Sequence, residues 1–357
     1  MIRIRLEQRA TPARWFGFVV APAAILVTFA LTIGFVLAAG ASPLEAYNQF
    51  LIEPLTSRYT ALEVLVAATP LLFTGAAVAI AFRSGFWNIG AEGQLLLGAV
   101  AATWVATTFV DGLPRGVAIP LVIGAGALGG AVWALVPALL RVRLGIDEVV
   151  TTLLLNPVGL LVVTGLLNGP WRNPETMFPE SERIAASAEL PPILGAESRL
   201  HLGFVIAIAL IVVAWFVFGR TATGLRLRAA GLSPEAAGFA GIRVGRLLLG
   251  AALVSGAIAG IAGASEVMGI QYRLTDGFSA GFGYTGIVVA TLGGLSMPGV
   301  VLAALFLGDL VVGSTSAGRE LGVPSQLADI VQGALLLVMV SLLLLRRYRV
   351  TFHRRTA

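Results

Sequence analysis

Runs of apolar residues, most of them close to 20 residues long, alternate along the chain with short polar connections. Because a transmembrane helix needs about 20 mainly apolar residues, this pattern predicts an all-α membrane protein of about ten transmembrane helices. The spans are expected near residues 16–39, 61–82, 92–110, 117–140, 149–168, 202–219, 247–268, 282–296, 299–316 and 326–345. The spans 282–296 and 299–316 are short and rich in glycine, which also suits a re-entrant hairpin or broken helices.

Composition agrees with this pattern. The chain of 357 residues is 57% hydrophobic and 12% charged, whereas an ordinary soluble domain is roughly 25% charged. We therefore expect one integral membrane domain over residues 1–357, with no separate soluble domain. The absence of cysteine excludes disulfides, thiolate metal sites and a cysteine nucleophile, and two distant histidines make a histidine metal site improbable.

The arginines divide unequally between the two ends of the predicted spans. Ten crossings place both termini on one side, and that side collects 17 of the 24 arginines: Arg3, Arg5, Arg9, Arg14, Arg83, Arg141, Arg143, Arg220, Arg226, Arg228, Arg243, Arg246, Arg346, Arg347, Arg349, Arg354 and Arg355. The positive-inside rule makes this side cytoplasmic. The net charge of +5 is thus explained by topology rather than by nucleic acid binding. Residues 1–15, 220–246 and 346–357 are predicted to be cytoplasmic, and the loop 169–201 extracytoplasmic.

One polar segment, residues 83–94, lies between two long runs of apolar residues. Asn88, Glu92 and Gln94 are candidates for lining a solute path, or for bracing a broken helix. The aromatic side chains of Phe86 and Trp87 could stack on a nucleobase, or belong to an interfacial aromatic belt, as could Tyr284. The predicted topology puts this segment at the cytoplasmic end of spans two and three, so we expect Glu92 at an inner gate or a helix break.

Further polar residues fall within the apolar runs. Glu148, Thr152 and Asn156 are spaced by four, so they share one helix face that should point inward, as a path or as helix–helix contacts. Glu266 near the outer mouth either receives the solute or pairs with Arg273. Asp309 is expected at a subunit interface or on the path.

The inner loop contains the signature of a short helix. Its elements are an N-cap serine, a proline at N1, an acidic residue in the first turn, small residues after it and a closing glycine, and an arginine cluster precedes it: Ser233, Pro234, Glu235, Ala236, Ala237, Gly241 and Arg228. A helix this short has little core of its own, so it either inserts into another protein, which we favour, or lies among lipid headgroups.

A faint internal repeat is also present. Gly85, Phe86, Gly90 and Gly98 recur as Gly281, Phe282, Gly286 and Gly294, always 196 residues later. Such a repeat is typical of transporters built from duplicated halves.

Four ordered motifs resemble the ABC importer permeases of the simple-sugar and nucleoside branch, which are related to ribose and branched-chain amino-acid permeases. They are Thr69–Gly75 (TPLLFTG), Phe82–Gln94 (FRSGFWNIGAEGQ), Gly145–Asn156 (GIDEVVTTLLLN) and the helix Ser233–Ile242 (SPEAAGFAGI). The resemblance covers roughly residues 15 to 345. Within the branch, the segment Asn88–Gln94 is most similar to permeases that work with basic-membrane-protein lipoproteins in nucleoside uptake.

The resemblance implies a bacterial cytoplasmic (inner) membrane permease that requires several partners and no cofactor of its own. They are a second permease, related or identical, an ATPase inside, and a binding protein or lipoprotein outside, in contact with membrane lipid. It also implies that the helix at Ser233–Ile242 couples to the ATPase. The chain contains no lysine and therefore no Walker A motif, so a separate subunit must use the ATP.

The predicted function is a non-enzymatic permease subunit of an ABC importer for nucleosides, with a simple sugar as the alternative substrate. A rival from another class is an ion-coupled secondary transporter that uses Glu92, Glu266 or Asp309 as its coupling carboxylate. An intramembrane hydrolase is poorly supported, because two histidines outside the spans and no cysteine leave no usual nucleophile–base pair.

Overall fold

The computed structural model describes residues 2–8, 16–195, 198–322, 324 and 326–354. Internal contacts divide the chain into two compact units, one made of the two ends of the chain (up to Pro54 and from Leu310 onward) and one of Leu55–Asp309. The predictions for residues 9–15, 196–197 and 355–357 lie outside the described residues. The prediction of a single membrane domain stays a prediction.

The unit made of the chain ends contains helices α1 (Phe16–Ala38), α2 (Pro43–Leu51) and α13 (Leu327–Arg347), with α1 packed on α13. Strands β1 (Ile2–Gln8) and β2 (Tyr348–Arg354) form an antiparallel pair in which Ile2 lies opposite Arg354 and Gln8 opposite Tyr348. This pairing brings the two described ends of the chain next to each other.

The larger unit begins with α3 (Arg58–Arg83), α4 (Ala91–Thr108), α5 (Arg115–Leu144), α6 (Glu148–Asn168) and α7 (Leu202–Arg220). It continues with α8 (Ala222–Leu232), α9 (Pro234–Phe239), α10 (Val244–Glu266), α11 (Phe282–Leu292) and the first half of α12 (Met297–Glu320). Short 3₁₀ turns occupy Glu53–Leu55 and Ala186–Ala188, and a π-helical turn, Val267–Gln271, extends α10.

Helices α4, α5 and α10 form the centre of this unit, where glycine brings their backbones into direct contact. A Cβ atom on Gly98 of α4 would lie 2.3 Å from the Cα of Gly260 on α10, and one on Gly130 of α5 would lie 2.1 Å from the carbonyl oxygen of Gly256. Small residues let membrane helices approach this closely, where van der Waals contact rather than a hydrophobic driving force holds them together.

The structure is helical and membrane-type, but it does not confirm ten full-length spans. Six helices of the described chain are long and apolar enough to cross a membrane, or up to seven if the pair α1 and α2, bent by 118°, counts as one broken span. The predicted spans 92–110, 282–296 and 326–345 correspond to α4, α11 and α13, which are not among the six. Helix α11 has only 11 residues, and α4 begins with a polar turn.

Both α4 and α11 are entered through non-helical segments, Ser84–Gly90 after α3 and Tyr272–Gly281 after the π-turn. The predicted span 282–296 extends four residues beyond the end of α11, whereas the predicted span 92–110 matches α4 within two residues at each end. The 196-residue repeat does not match position by position, since Gly90 is the N-cap of α4 whereas Gly286 lies within α11.

Candidate functional site

The segment Ser84–Gly90 (the entry segment) is not helical, so beyond the last turn of α3 its backbone needs other partners. Helix α6 supplies them: a Glu148 carboxylate oxygen accepts the Trp87 N–H at 3.3 Å, and the Thr152 hydroxyl accepts the Ile89 N–H at 3.2 Å. Asn156 accepts the Gly93 N–H and donates to the Ile89 carbonyl, both at 2.9 Å. The polar stripe therefore points inward, as its spacing predicts, and it braces the neighbouring chain.

Glu148 has a second partner outside this stripe. Its other oxygen accepts from Arg141 Nε at 3.0 Å. The residue before it, Asp147, caps α6 by accepting the Val149 N–H at 2.8 Å. Both carboxylates thus stabilise the first turn of α6, where the helix dipole favours negative charge.

Asn88 and Gln94 form a reciprocal pair of amides. Asn88 donates to Gln94 at 2.8 Å and accepts from it at 3.0 Å, while Asn88 Oδ1 also accepts the Gly90 N–H at 2.9 Å. Asn88 donates in addition to Ser255 at 2.9 Å, and the Ser255 hydroxyl donates to the Ala77 carbonyl at 2.7 Å. The three polar side chains are buried. Their mutual satisfaction identifies a structural network, which we call the amide network.

The amide network lies deeper than the topology prediction placed it. Its partner Ser255 is near the middle of the 23-residue α10, and Ala77 is well inside the 26-residue α3. The expectation that Asn88–Gln94 sits at the cytoplasmic boundary is therefore wrong. The entry segment turns at Gly85, whose φ is +85°, and runs back into the interior before α4 begins. A hydropathy window cannot detect such a return.

The two aromatic residues of the entry segment face in different directions. Phe86 is completely buried, whereas Trp87 is half exposed and packs on Phe82 with the ring centroids 4.7 Å apart. The two rings do not flank a common opening, so the geometry gives no support to stacking of a solute between them.

Glu92, in the first turn of α4, caps a second helix. One carboxylate oxygen accepts the Gly283 N–H at 2.7 Å, and the same carboxylate interacts with Ser279 and with the backbone of Tyr284. These groups begin α11, whose unsatisfied N–H groups and dipole favour a negative partner. A Cβ atom on Gly283 would lie 2.2 Å from the Glu92 nitrogen, so only glycine permits this approach.

The remaining candidate acids lie apart from this cluster. Glu266 is buried at the end of α10 and interacts with the Gln271 side chain, while Arg273 pairs with Glu180 instead. The alternative of a Glu266–Arg273 pair is therefore wrong. Asp309 is buried in α12, and its Oδ1 atom has no hydrogen-bond partner among the described residues.

The outer loop is ordered by backbone pairing with the segment that enters α11. The Ser181 N–H donates to the Leu274 carbonyl at 2.8 Å and the Ile184 N–H to the Tyr272 carbonyl at 3.0 Å. The Arg183 guanidinium also lies over the Tyr272 ring at 5.0 Å. The outer loop therefore helps to position the start of α11.

The buried histidine of the outer loop was not expected from the sequence. His201 is 3% exposed, accepts the Gly203 N–H at 3.1 Å through Nδ1, and fills the space left by Gly269. Burial and the nearby charge of Arg199 lower the pKa of His201 to about 4. Arg199 itself is paired with Glu63 at 3.1 Å. His201 is therefore neutral at physiological pH.

The inner loop contains the predicted helix as α9, preceded by a helix, α8, that the sequence did not reveal. The Ser233 hydroxyl accepts the Ala236 N–H at 3.3 Å, Pro234 occupies N1, Glu235 lies in the first turn, and Gly241 ends the turn with φ of +80°. Ala237 packs inward, while the Phe239 side chain is 96% exposed.

Helix α8 carries Arg228 and fixes the loop to the membrane helices. Gly231 lies so close to α3 that a Cβ atom would meet the Arg83 carbonyl oxygen at 2.3 Å. Arg228 is near enough to Arg83 for their charges to interact, and its Nε finds no hydrogen-bond partner among the described residues. Beside α9 lies a cavity of about 350 Å³ lined by Arg226, Arg243 and Arg246. The inner face near α9 is therefore strongly positive.

Five predicted site residues thus meet in one interior cluster, namely Asn88, Glu92, Gln94, Thr152 and Asn156, and each of them holds backbone or another side chain of the cluster. Glu266 and Asp309 do not join it. In the described part of the chain, no group of three or more His, Asp or Glu side chains is arranged to hold a metal ion.

Comparison with known proteins places these features in context. Residues 60–340 match the family model described as branched-chain amino acid transport system, permease component. The matched region includes the entry segment, the amide network, α9 and the beginning of α11. No solved structure matches the chain.

Three curated relatives are similar over most of their length. The glucose ABC transporter permease protein TsgB13 of Haloferax volcanii is 36% identical over 99% of this chain and 96% of its own. The guanosine ABC transporter permease protein NupP of Bacillus subtilis is 38% identical over 78% of this chain and 80% of its own. The nucleoside ABC transporter permease protein NupB of Lactococcus lactis is 33% identical over 88% of each.

Proposed function

The chain belongs to the family of branched-chain amino acid transport system permease components, and from this premise we propose that it forms the translocation path of an ABC importer for nucleosides. Guanosine and nucleoside transporter permeases among its relatives support this substrate class. A simple sugar is the second candidate, because the glucose transporter permease aligns over nearly the whole chain. The shared ABC designation of these relatives supports ATP, rather than an ion gradient, as the energy source.

The hydrogen bonding of Glu92 points in the same direction. An ion-coupled transporter needs a carboxylate that is free to bind and release its ion. Glu92 instead caps α11 by accepting a 2.7 Å hydrogen bond from the Gly283 N–H. It can cap the helix only while its carboxylate stays in this position, so it is not free to bind and release an ion. We therefore assign Glu92, Thr152 and Asn156 to the framework of the path rather than to ion coupling.

The family and the lack of a Walker A motif in this sequence support a set of separate partner proteins. We propose a cytoplasmic ATPase that contacts α9, a second permease, related or identical, and an extracytoplasmic binding protein or lipoprotein that delivers the solute. The distribution of arginines supports a cytoplasmic membrane location with both termini inside. The pairing of β1 with β2 supports placing those termini together.

Helix α9 is the proposed point of contact with the ATPase. Its N-cap serine and N1 proline make a short helix rigid at its start, and Phe239 projects into solvent with 96% of its surface exposed. Leu232 at the end of α8 is 87% exposed as well, and two large apolar side chains exposed on one short loop favour a surface that another protein covers. This exposed face of α9 is the observation that carries the coupling proposal.

Replacing Pro234 by arginine tests the coupling role. The added bulk and charge at the first turn should prevent α9 from seating on the ATPase, so ATP hydrolysis should continue without nucleoside uptake. The measurement is guanosine uptake and ATP hydrolysis by the purified complex in proteoliposomes. As a matched control, Pro114→Arg makes the same substitution at a proline that precedes α5, at the end of that helix away from Arg141 and Arg143. Fully coupled uptake by the Pro234 variant would remove α9 from the mechanism.

A further inference from the structure

A continuous line of residues along the entry to α11 and along α11 itself is left uncovered by the rest of the larger unit. Asp276 and Ala280 are exposed in the non-helical part, Tyr284 is 44% exposed in the first turn of α11, and Thr291 is half-buried near its end. Tyr284 and Thr291 are seven residues apart, so they share one face of the helix. We call this line the α11 face.

The depth of Tyr284 follows from its neighbours on α3. Helix α11 runs beside α3, with Gly286 against Thr74, so closely that a Cβ atom on Gly286 would meet Thr74 at 2.7 Å. Thr74 lies nine residues before the inner end of α3 at Arg83, and Tyr284 lies two residues before Gly286. At 1.5 Å per residue, Tyr284 is about 16 Å from that end. Since the hydrocarbon core is about 30 Å thick, this is close to its centre.

A tyrosine at this depth does not suit contact with lipid. Tyrosine is enriched at the two membrane interfaces, where its hydroxyl reaches water or headgroups, and neither is available at the centre of the bilayer. Two further polar residues lie on the α11 face, Asp276 at its outer end and Thr291 toward its inner end, with apolar Ala280 and Ile287 between the polar positions. Polar side chains at the outer end, the centre and the inner end of one face suit a water-accessible route better than a lipid-facing surface.

Glu92 fixes the position of this tyrosine. Its carboxylate holds Gly283 and the backbone of Tyr284, so the first turn of α11 is anchored to α4, while Gln271 donates to the Phe278 carbonyl at 2.9 Å and anchors the entry to α11. The Tyr284 ring therefore projects from a backbone that is held on both sides.

We propose that the α11 face lines the translocation path and that Tyr284 contacts the solute at mid-depth. This inference rests on the proposed function, since it takes the solute to be a nucleoside. A nucleobase offers an aromatic face to the tyrosine ring, and stacking of a base on an aromatic side chain is worth roughly 1–3 kcal/mol. The ring, more than the hydroxyl, is thus the part that recognises the solute.

The absence of native cysteine allows a direct test. Tyr284→Cys and the control Val213→Cys each introduce the only cysteine in this chain. Val213 is 57% exposed near the middle of α7, so it offers a similar depth and exposure on another face. The assembled complex is treated with a membrane-impermeant, charged thiol reagent in the presence and absence of ATP, guanosine or glucose, and labelling of this chain is measured by mass spectrometry.

We expect the thiol of the Tyr284→Cys variant to react at least about tenfold faster than the thiol of the Val213→Cys control, and guanosine delivered by the binding protein to slow that reaction. No labelling in any nucleotide state would overturn the assignment of the α11 face to the path. Labelling that neither guanosine nor glucose slows would overturn the contact with solute. Protection by glucose alone would overturn the base-stacking role and select the sugar.

Two further variants separate recognition from folding. Tyr284→Phe keeps the ring, so guanosine uptake should stay within about twofold of the native rate, whereas Tyr284→Ala should lower it about tenfold. Both complexes must retain the ATPase subunit and their ATP hydrolysis. Equal uptake by the Phe and Ala variants would refute recognition by the ring. The proposed function has its own test: it is wrong if uptake by the unsubstituted complex does not depend on ATP.

Discussion

Replacing Asn88 by alanine tests whether the amide network supports the break before α4. The side chain makes four hydrogen bonds, and its loss leaves three buried groups without partners: the Gly90 N–H and the two ends of the Gln94 amide. Ser255 is not orphaned, because its hydroxyl still donates to the Ala77 carbonyl. Each orphaned group costs about 1–3 kcal/mol, and since such losses are not additive we expect a total of roughly 3–5 kcal/mol.

A double variant makes this argument sharper. Asn88→Ala combined with Gln94→Leu removes the Gln94 amide as well, so that only the Gly90 N–H remains without a partner. Removing both members of a buried polar pair is far cheaper than removing one. The second substitution should therefore restore roughly 2 kcal/mol, although it deletes a second hydrogen-bonding side chain.

The measurement is the free energy of unfolding of the purified permease in mixed micelles, followed by tryptophan fluorescence as denaturing detergent is added. Asn168→Ala is the matched control, because Asn168 is exposed and makes a single 2.9 Å bond to the Thr164 carbonyl. The reasoning is refuted if Asn88→Ala costs no more than this control. It is also refuted if the double variant is less stable than the single one.

Three other outcomes are expected. Gly98→Ile should prevent assembly of α4 on α10 at Gly260, whereas Gly165→Ile, with nothing within 4 Å of its Cβ position, should be abundant in membranes; equal abundance contradicts the packing argument. The pKa of His201 is about 4 in the folded chain and about 6.5 in the unfolded one, so the free energy of unfolding should fall as the pH drops, by about 2 kcal/mol between pH 7.5 and 5. The variant His201→Gln should abolish this pH dependence in the same detergent unfolding assay. Glu92→Ala should destabilise the chain by about 1.5–3 kcal/mol and Glu92→Gln by less, since an amide oxygen still accepts one N–H; an opposite order in the same assay contradicts the capping role.

The sequence predicts the helical membrane architecture, because hydrophobic run length is a property of single segments. It also predicts α9 in detail, since the capping chemistry of Ser233, Pro234 and Gly241 is local. The inward stripe of Glu148, Thr152 and Asn156 followed from helical spacing alone.

The sequence could not show how deep a residue lies within the protein or which distant residue it contacts. Whether Glu92 sits at the surface or in the interior depends on the turn at Gly85, which sends the chain back among helices that are distant in sequence. Its partner Gly283 is 191 residues away, and no local pattern indicates that one helix start will cap another. The same reason explains why His201 was missed, since its burial depends on contact with Gly269.

The glycine contacts among α4, α5 and α10 restrict how this protein can change shape. Helices whose backbones touch at Gly98, Gly130 and Gly256 leave little space between them for side chains that could slide or repack, so these three helices should move as one rigid body. Two non-helical segments flank this rigid body: Ser84–Gly90 leads from α3 into α4, and Tyr272–Gly281 leads from the end of α10 into α11. Glu92 lies two residues after the first segment and accepts the N–H of Gly283, two residues after the second, so one side chain should make the two helix entries move together.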